Sequence, residues 1–137
     1  MHESVNKLIS IQEEINSKNL KTKIIAVSKT FPLSRIMPLI DYGHIHFGEN
    51  KIQESIEKWA EFKIINSKIK LHMIGKLQSN KVKQAVDLFD YIHSVDNFKL
   101  AEKISNETLK KNKSIKIFIQ VNIGNETQKS GVKTENL

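Results

Sequence analysis

Short apolar runs rich in β-branched residues alternate along this chain with segments of helical periodicity, and this alternation restricts the fold more than any other feature. The runs lie at 22–28, 44–47, 71–74, 91–93 and 115–121, and the helical segments at 3–18, 32–42, 49–62, 80–89 and 97–109. Strict alternation predicts parallel strands joined by right-handed crossovers. Two α/β architectures fit, an open doubly wound sheet or part of a (β/α)8 barrel. No G-x-G-x-x-G follows any run, so the dinucleotide-binding fingerprint is missing.

The helical segments carry recognisable ends. Pro32 suits the first helical position of the second segment, and Gly43 supplies its C-terminal stop. Pro38 inside the same segment costs about 3 kcal/mol or bends a helix, so a kink or an early end is predicted there. The last segment is expected to be capped by Asp96 or Asn97. Its predicted inward residues are Phe98, Ala101, Ile104 and Leu109.

Composition excludes several classes of protein. The chain has 137 residues, enough for one domain with a sizeable core, and no Cys, which excludes a disulfide framework, a thiolate zinc site and a cysteine nucleophile. No apolar run approaches the roughly 20 residues that a membrane span needs. The start carries Glu3 where a signal peptide has a basic region. A cytoplasmic protein with no membrane partner is therefore expected.

The formal net charge of +7 rests almost entirely on lysine, since Arg35 is the sole arginine among 22 Lys and Arg. Nucleic-acid binders favour Arg for bidentate base contacts and interleave aromatic residues with the bases. Here the lysines are spread along the chain, and their densest cluster, at 110–113, falls in a predicted helix-to-strand loop. A solvated surface is favoured over a nucleic-acid face, and no nucleic-acid partner is expected.

Lys29 follows the first apolar run directly. In a parallel α/β protein, sites form beyond the carboxyl ends of the strands. Counting back by two places Val27 and Ile25 on the face of the strand that carries Lys29, which predicts a partly desolvated amine. Desolvation lowers the pKa of an amine and makes it a better nucleophile toward carbonyls, as a Schiff-base lysine requires. The alternative is a lysine that snorkels at a strand end.

Four histidines offer a rival site. His44 and His46 share one face of the second run, while His72 and His93 lie on neighbouring runs. Such a set suits zinc or another divalent metal. However, His46 and His72 fall inside their strands rather than beyond the ends, and no acidic residue has an obvious ligand spacing. Packed or hydrogen-bonded core histidines are the favoured interpretation, with no metal site.

Six motifs then occur in order over most of the chain. They are AVSKT at 26–30, HFGEN at 46–50 with Gln53 and Glu54, HMIGKLQSNK at 72–81, SVD at 94–96, QVN at 120–122 and KSG at 129–131. Together they closely resemble the pyridoxal 5′-phosphate (PLP) homeostasis protein family. The resemblance extends from about Lys23 to Gly131.

This resemblance implies a fold, a cofactor and a site. The implied fold is a (β/α)8, TIM-barrel-like domain of the alanine racemase N-terminal type. The implied cofactor is PLP, bound as a Schiff base by the lysine of the Ser-Lys-Thr motif, which is Lys29, with Asn50 beside it. The family is a carrier or regulator of PLP with no established turnover, so no catalytic residue is implied. Apo forms of PLP enzymes are the implied clients.

Length is where the sequence departs from the family. A barrel of this type takes about 250 residues, so a single incomplete domain over 1–137 is predicted, with a first helix at 3–18 and about five βα units. The family's phosphate-binding segments have no counterpart before Leu137. Two outcomes stay open, an inactive truncated chain or one completed by a separate C-terminal half chain. The alternative functions are a racemase-like PLP enzyme fragment and a basic nucleic-acid-binding module.

Overall fold

The computed structural model describes residues 1–137, and it contains the predicted alternation of helices and strands. The helices are α1 (Glu3–Ser17), α2 (Leu33–Tyr42), α3 (Ile52–Ile65), α4 (Val82–Leu88) and α5 (Phe98–Lys110). The strands are β1 (Ala26–Val27), β2 (His46–Glu49), β3 (Lys70–Met73), β4 (Tyr91–Val95), β5 (Lys116–Ile119), β6 (Val121–Asn122) and β7 (Val132–Lys133). Short 3₁₀ turns at Ser79–Lys81 and Thr134–Asn136 complete the chain.

The strand order decides between the two architectures that the sequence left open. Strands β1 to β5 form one parallel sheet in sequential order, and β6 pairs with β7 separately. A doubly wound sheet reverses its strand order at a switch point, whereas a (β/α)8 barrel adds each strand beside the previous one. The fold is therefore an incomplete barrel of the predicted type, in which β1 and β5 are the two edges.

The core lies between the sheet and its helices. Successive residues of a strand face opposite sides of the sheet, and the side under the helices carries the apolar residues Phe47, Leu71, Met73 and Ile92, all of which are buried. Trp59 of α3 packs on Phe47 with the ring centroids 5.2 Å apart. The opposite, concave side of the sheet carries the histidines of β2, β3 and β4.

Several local expectations are wrong. The first strand covers only Ala26–Val27 rather than 22–28, and these two residues pair with Phe47 and Gly48 of β2. Of the two alternatives at Pro38, the early end is wrong, because helix α2 continues to Tyr42, where Gly43 stops it with a φ of 110°. Pro32 is the cap of that helix rather than its first residue.

The end of the sheet at β5 is open to solvent. Ile117, Phe118 and Ile119 are 42%, 51% and 58% exposed, so both faces of this strand lack cover. Phe98 and Leu109 of α5 are exposed rather than inward, because they lie at the two ends of the helix, while Asn97 caps it as predicted by accepting a hydrogen bond from Leu100 N. No helix after β5 packs on the sheet.

The lysine cluster at 110–113 braces the neighbouring helix. Lys111 Nζ donates to the Lys83 carbonyl at 2.8 Å and pairs with Asp87, and Lys113 Nζ donates to the Val86 carbonyl. These lysines therefore bind carbonyl groups of α4, and that of Val86 lies in the last turn, where carbonyls have no intrahelical partner. The helices of this structure all fall short of the length and apolar character that crossing a membrane requires.

Candidate functional site

The carboxyl ends of β1, β2 and β3 meet at one edge of the sheet, as the sequence predicts. Ser28 N donates to the Gly48 carbonyl at 2.9 Å, and Ile74 N donates to the Glu49 carbonyl at 2.9 Å. These bonds continue the parallel ladder beyond the strands and bring the three following loops together. Lys29, Asn50 and Gly75 thus lie in adjoining loops.

Lys29 is exposed, so the expectation that its amine is partly desolvated is wrong. Val27, two residues earlier on the same face, is 52% exposed because β1 is an edge strand and nothing covers its concave side. The backbone around Lys29 is nevertheless well defined. Ser28 before it is buried, and Thr30 after it has a φ of 68°.

Asn50 has an unsatisfied polar atom. Its Oδ1 is buried and has no hydrogen-bond partner in the protein. A buried acceptor without a partner costs about 1–3 kcal/mol, so this atom is suited to a ligand that donates a hydrogen bond. Gly75 packs directly on the same residue, since a Cβ at position 75 would lie 2.5 Å from the Asn50 carbonyl oxygen.

A cavity of about 260 Å³ opens beside Asn50. Its other lining residues are Lys51, Ile52, Gln53, Met73, Lys76, Gln78 and Lys81. Three lysines at its rim attract an anionic group. Lys29 does not line this cavity, so the structure brings the two predicted site residues to the same edge without placing both in one enclosed space. The exposed amine and the positive rim suit a ligand that carries an aldehyde and an anionic group, and the unpartnered amide oxygen suits a hydrogen-bond donor on that ligand.

A buried charge network lies directly beneath the site. Glu49 is fully buried, and its carboxylate accepts hydrogen bonds from Lys58 Nζ at 3.0 and 3.1 Å, from Trp59 Nε1 at 3.2 Å and from Ser28 Oγ. A buried carboxylate persists only when it is paired and hydrogen-bonded in this way. The sequence alone assigns no role to Glu49 or Lys58. The four-residue spacing of Glu54 and Lys58 on one helix was a sequence signal for an ion pair at this position.

The histidines of the concave face bond to one another. His46 Nδ1 lies 2.9 Å from His72 Nε2, and His72 Nδ1 lies 2.8 Å from His93 Nε2, which confirms the predicted hydrogen-bonded histidines. His72 also stacks on Tyr91, with the ring centroids 4.1 Å apart. Burial lowers the pKa of all three imidazoles, and for His72, with its two histidine neighbours, the pKa is lowered to about 4. The ring nitrogens of His72 face two different neighbours and do not converge on one point.

Known proteins resemble this chain over nearly its whole length. The family model for the alanine racemase N-terminal domain matches residues 7–137. The pyridoxal phosphate homeostasis protein of Haemophilus influenzae is 34% identical over 131 residues, which are 96% of this chain and 55% of that protein. The protein of the same name from Escherichia coli K12 is 36% identical over 115 residues, which are 83% of this chain and 49% of that protein.

Solved structures support the same assignment. PipY of Synechococcus elongatus PCC7942, determined without PLP, superposes with a TM-score of 0.84 at 37% identity, covering 93% of this chain and 58% of PipY. The form of PipY with PLP bound gives a TM-score of 0.76 at 36% identity, covering 91% of this chain and 59% of PipY. The chain spans about half the length of the curated relatives it matches. With a matching family model, relatives named for PLP homeostasis and a fold that superposes on 58% of PipY, this chain belongs to the alanine racemase N-terminal domain family.

Proposed function

We propose that this chain binds PLP at the carboxyl edge of its sheet, with Lys29 as the attachment point and Asn50 beside the cofactor, and that it takes part in cytoplasmic PLP homeostasis. The unpartnered, buried Oδ1 of Asn50 next to the Lys29 loop is the observation that carries the proposal. The names of the relatives and the PLP-bound form of PipY support the identity of the ligand.

PLP supplies an aldehyde carbon that accepts a primary amine. The residues of this chain provide the rest of the binding chemistry. The exposed Lys29 amine is accessible without any movement of the fold, and the Asn50 amide orients a polar group of the ligand. Lys51, Lys76 and Lys81 place positive charge at the cavity rim, where a phosphate is attracted.

A carrier role without turnover is favoured over a racemase-like reaction. A racemase needs an acid–base group on the side of the sheet where the cofactor binds. Tyr42 ends α2 and Tyr91 begins β4, so both tyrosines lie toward the amino ends of the strands, opposite Lys29. The basic character of the chain does not favour nucleic-acid binding, because Lys111 and Lys113 of the densest lysine cluster donate to carbonyl groups of α4.

We also propose that further βα units, of the kind that relatives of about twice this length possess, pack against the open β5 end. A groove of about 590 Å³ runs there between α5, β5 and the C-terminal segment. Its apolar residues include Phe98, Ile117 and Ile119, which are exposed in this chain. A separate C-terminal half chain is the partner that this groove fits, while apo PLP enzymes are the clients that a PLP carrier serves.

Reductive trapping tests the binding proposal. The chain is incubated with stoichiometric PLP, reduced with borohydride and digested, and the pyridoxyl group is located by mass spectrometry. A single dominant adduct on Lys29 is expected, with loss of this adduct in Lys29→Ala. Lys23→Ala is the matched control, because Lys23 is also exposed but precedes β1 at the opposite edge of the sheet. Adducts scattered over many lysines, or an unchanged yield in Lys29→Ala, would refute the proposal.

A further inference from the structure

The backbone on both sides of Lys29 is held by side chains of α3. Lys58 Nζ donates to the Ser28 carbonyl at 2.8 Å, just before Lys29. Thr30 N, just after Lys29, donates to Glu54 Oε1 at 2.5 Å. Two side chains four residues apart on one helix therefore fix the two peptide groups that flank the proposed attachment residue.

These contacts belong to one charge network. The Lys58 ammonium bridges the two carboxylates, at 3.0 Å from Glu49 Oε1 and 3.4 Å from Glu54 Oε1. The Lys58 side chain is 7% exposed and that of Glu54 is 30% exposed. Water therefore screens the buried pair of Lys58 and Glu49 less than it screens an ion pair on the surface. Because Glu49 precedes Asn50 in the chain, the network is linked to both proposed site residues.

Thr30 needs this support more than an ordinary loop residue does. Its φ of 68° lies in the left-handed region, which is unfavourable for a β-branched side chain. Phe31 N closes the turn by donating to the Ser28 carbonyl at 3.2 Å. A strained turn persists only when its surroundings over-determine it. The bond from Thr30 N to Glu54 is a charged contact at the strained residue itself, and the bond from Lys58 to the Ser28 carbonyl is a second charged contact on the turn.

We infer that Glu54 is a positioning residue, which holds the turn at 28–31 and thereby sets where the Lys29 amine is presented. The predicted effect of Glu54 on PLP attachment at Lys29 rests on the proposed function, whereas its predicted effect on the turn at 28–31 does not. Glu54 itself acts only through the Thr30 amide and through Lys58. Its carboxylate supplies reach, an acceptor oxygen and a negative charge, so a glutamine at position 54 keeps the first two and loses the charge-assisted part of its bonds to Thr30 N and Lys58.

Three variants of position 54 separate reach from charge. Glu54→Ala removes the acceptor, Glu54→Asp keeps the charge but shortens the side chain, and Glu54→Gln keeps the length and one acceptor oxygen. The matched control is Glu57→Ala on the same helix, because Glu57 is exposed and its bond is to Gln53 of α3. Far-UV circular dichroism and urea unfolding verify that each variant is folded.

Two readouts decide the inference. The first is the rate of amide hydrogen exchange at Thr30, measured by NMR in the absence of PLP. The second is the initial rate at which the PLP adduct forms at Lys29, measured by borohydride trapping. The Ala and Asp variants should show Thr30 exchange about tenfold faster or more, as expected for loss of a hydrogen bond to a charged group, and a slower Lys29 adduct. The Gln variant should lie between the parent chain and Glu54→Ala, and Glu57→Ala should remain close to the parent chain in both measurements.

Each departure from this pattern has one meaning. Thr30 exchange that is the same in Glu54→Ala and Glu57→Ala overturns the inference, since the turn then needs no Glu54. Faster exchange with an unchanged Lys29 adduct rate also overturns it, because the turn then does not control the amine. A parent chain that forms no selective Lys29 adduct refutes the proposed function instead, and Thr30 exchange alone then decides whether Glu54 holds the turn.

Discussion

Acidification from pH 7 to pH 5 should destabilise this fold through His72. His72 is 4% exposed and lies between His46 and His93, with Asp90 as the nearest acidic influence. Its pKa is lowered from 6.5 to about 4, chiefly because burial disfavours the imidazolium. In the unfolded chain the same ring binds a proton near its ordinary pKa, so lowering the pH stabilises the unfolded state.

The size of this effect follows from linkage. The stability that His72 contributes is fully present above pH 6.5 and is lost as the pH falls from 6.5 toward 4. Between pH 7 and pH 5 the unfolded ring takes up nearly one proton while the folded ring takes up very little, which lowers the free energy of unfolding by about 2 kcal/mol. Burial also lowers the pKa of His44, His46 and His93, so these residues add to the loss with the same sign.

Urea unfolding at pH 7 and pH 5 measures this loss, with the fluorescence of the single, fully buried Trp59 as the probe. His72→Phe retains a ring to stack on Tyr91 but removes the titrating group. The free energy of unfolding should therefore differ between pH 7 and pH 5 by about 2 kcal/mol less in this variant than in the parent chain. His2→Asn is the control, because His2 is exposed and asparagine preserves its capping role on α1. An equal pH dependence in the parent chain and in His72→Phe would show that buried imidazole does not control acid stability here.

Two further substitutions probe the site and the core. Gly75→Ala should lower the thermal unfolding temperature and displace Asn50, since the new Cβ would lie 2.5 Å from its carbonyl oxygen, whereas Gly124→Ala, with no contact closer than 3.6 Å, should leave the temperature unchanged. Equal stability of the two glycine variants would contradict the close packing at Gly75. Phe47→Ala removes a fully buried ring and should cost about 3–5 kcal/mol in urea unfolding. Phe31→Ala is the control, because Phe31 is half-exposed. If Phe47→Ala lost no more stability than Phe31→Ala, the assignment of Phe47 to the core would be refuted.

The parallel sheet and the site edge could be predicted because both depend on local pattern, whereas the strand order could not, since two architectures fitted that pattern. β-Branched runs such as 115–121 indicate strands, and regular alternation with helices leaves little choice but a parallel sheet. The carboxyl ends of such strands lie at one edge, so the positions of Lys29 and Asn50 at that edge followed directly. Their roles in binding PLP remain predictions that the trapping experiment tests.

Burial and long-range pairing could not be predicted in the same way. The exposure of Lys29 depends on how much of the barrel surrounds it, and the parity of residues along β1 does not contain that information. The pair of Glu49 and Lys58 joins a strand to the helix that follows it, and its geometry depends on the angle at which α3 crosses the sheet. Phe98 and Leu109 have helical spacing, but spacing does not show that a helix end extends past its neighbours.

The lysines that bind backbone carbonyls make this fold sensitive to acylation. Lys58, Lys63, Lys111 and Lys113 each donate to a main-chain oxygen in another element, and these bonds join α3 to the loop after β1, α3 to the end of α4, and the loop after α5 to α4. Acetylation of any of these amines removes the charge and enlarges the group that must fit against the carbonyl. A modification that is neutral at a solvated lysine would therefore disconnect two elements here, and its effect on rigidity would add to its effect on net charge.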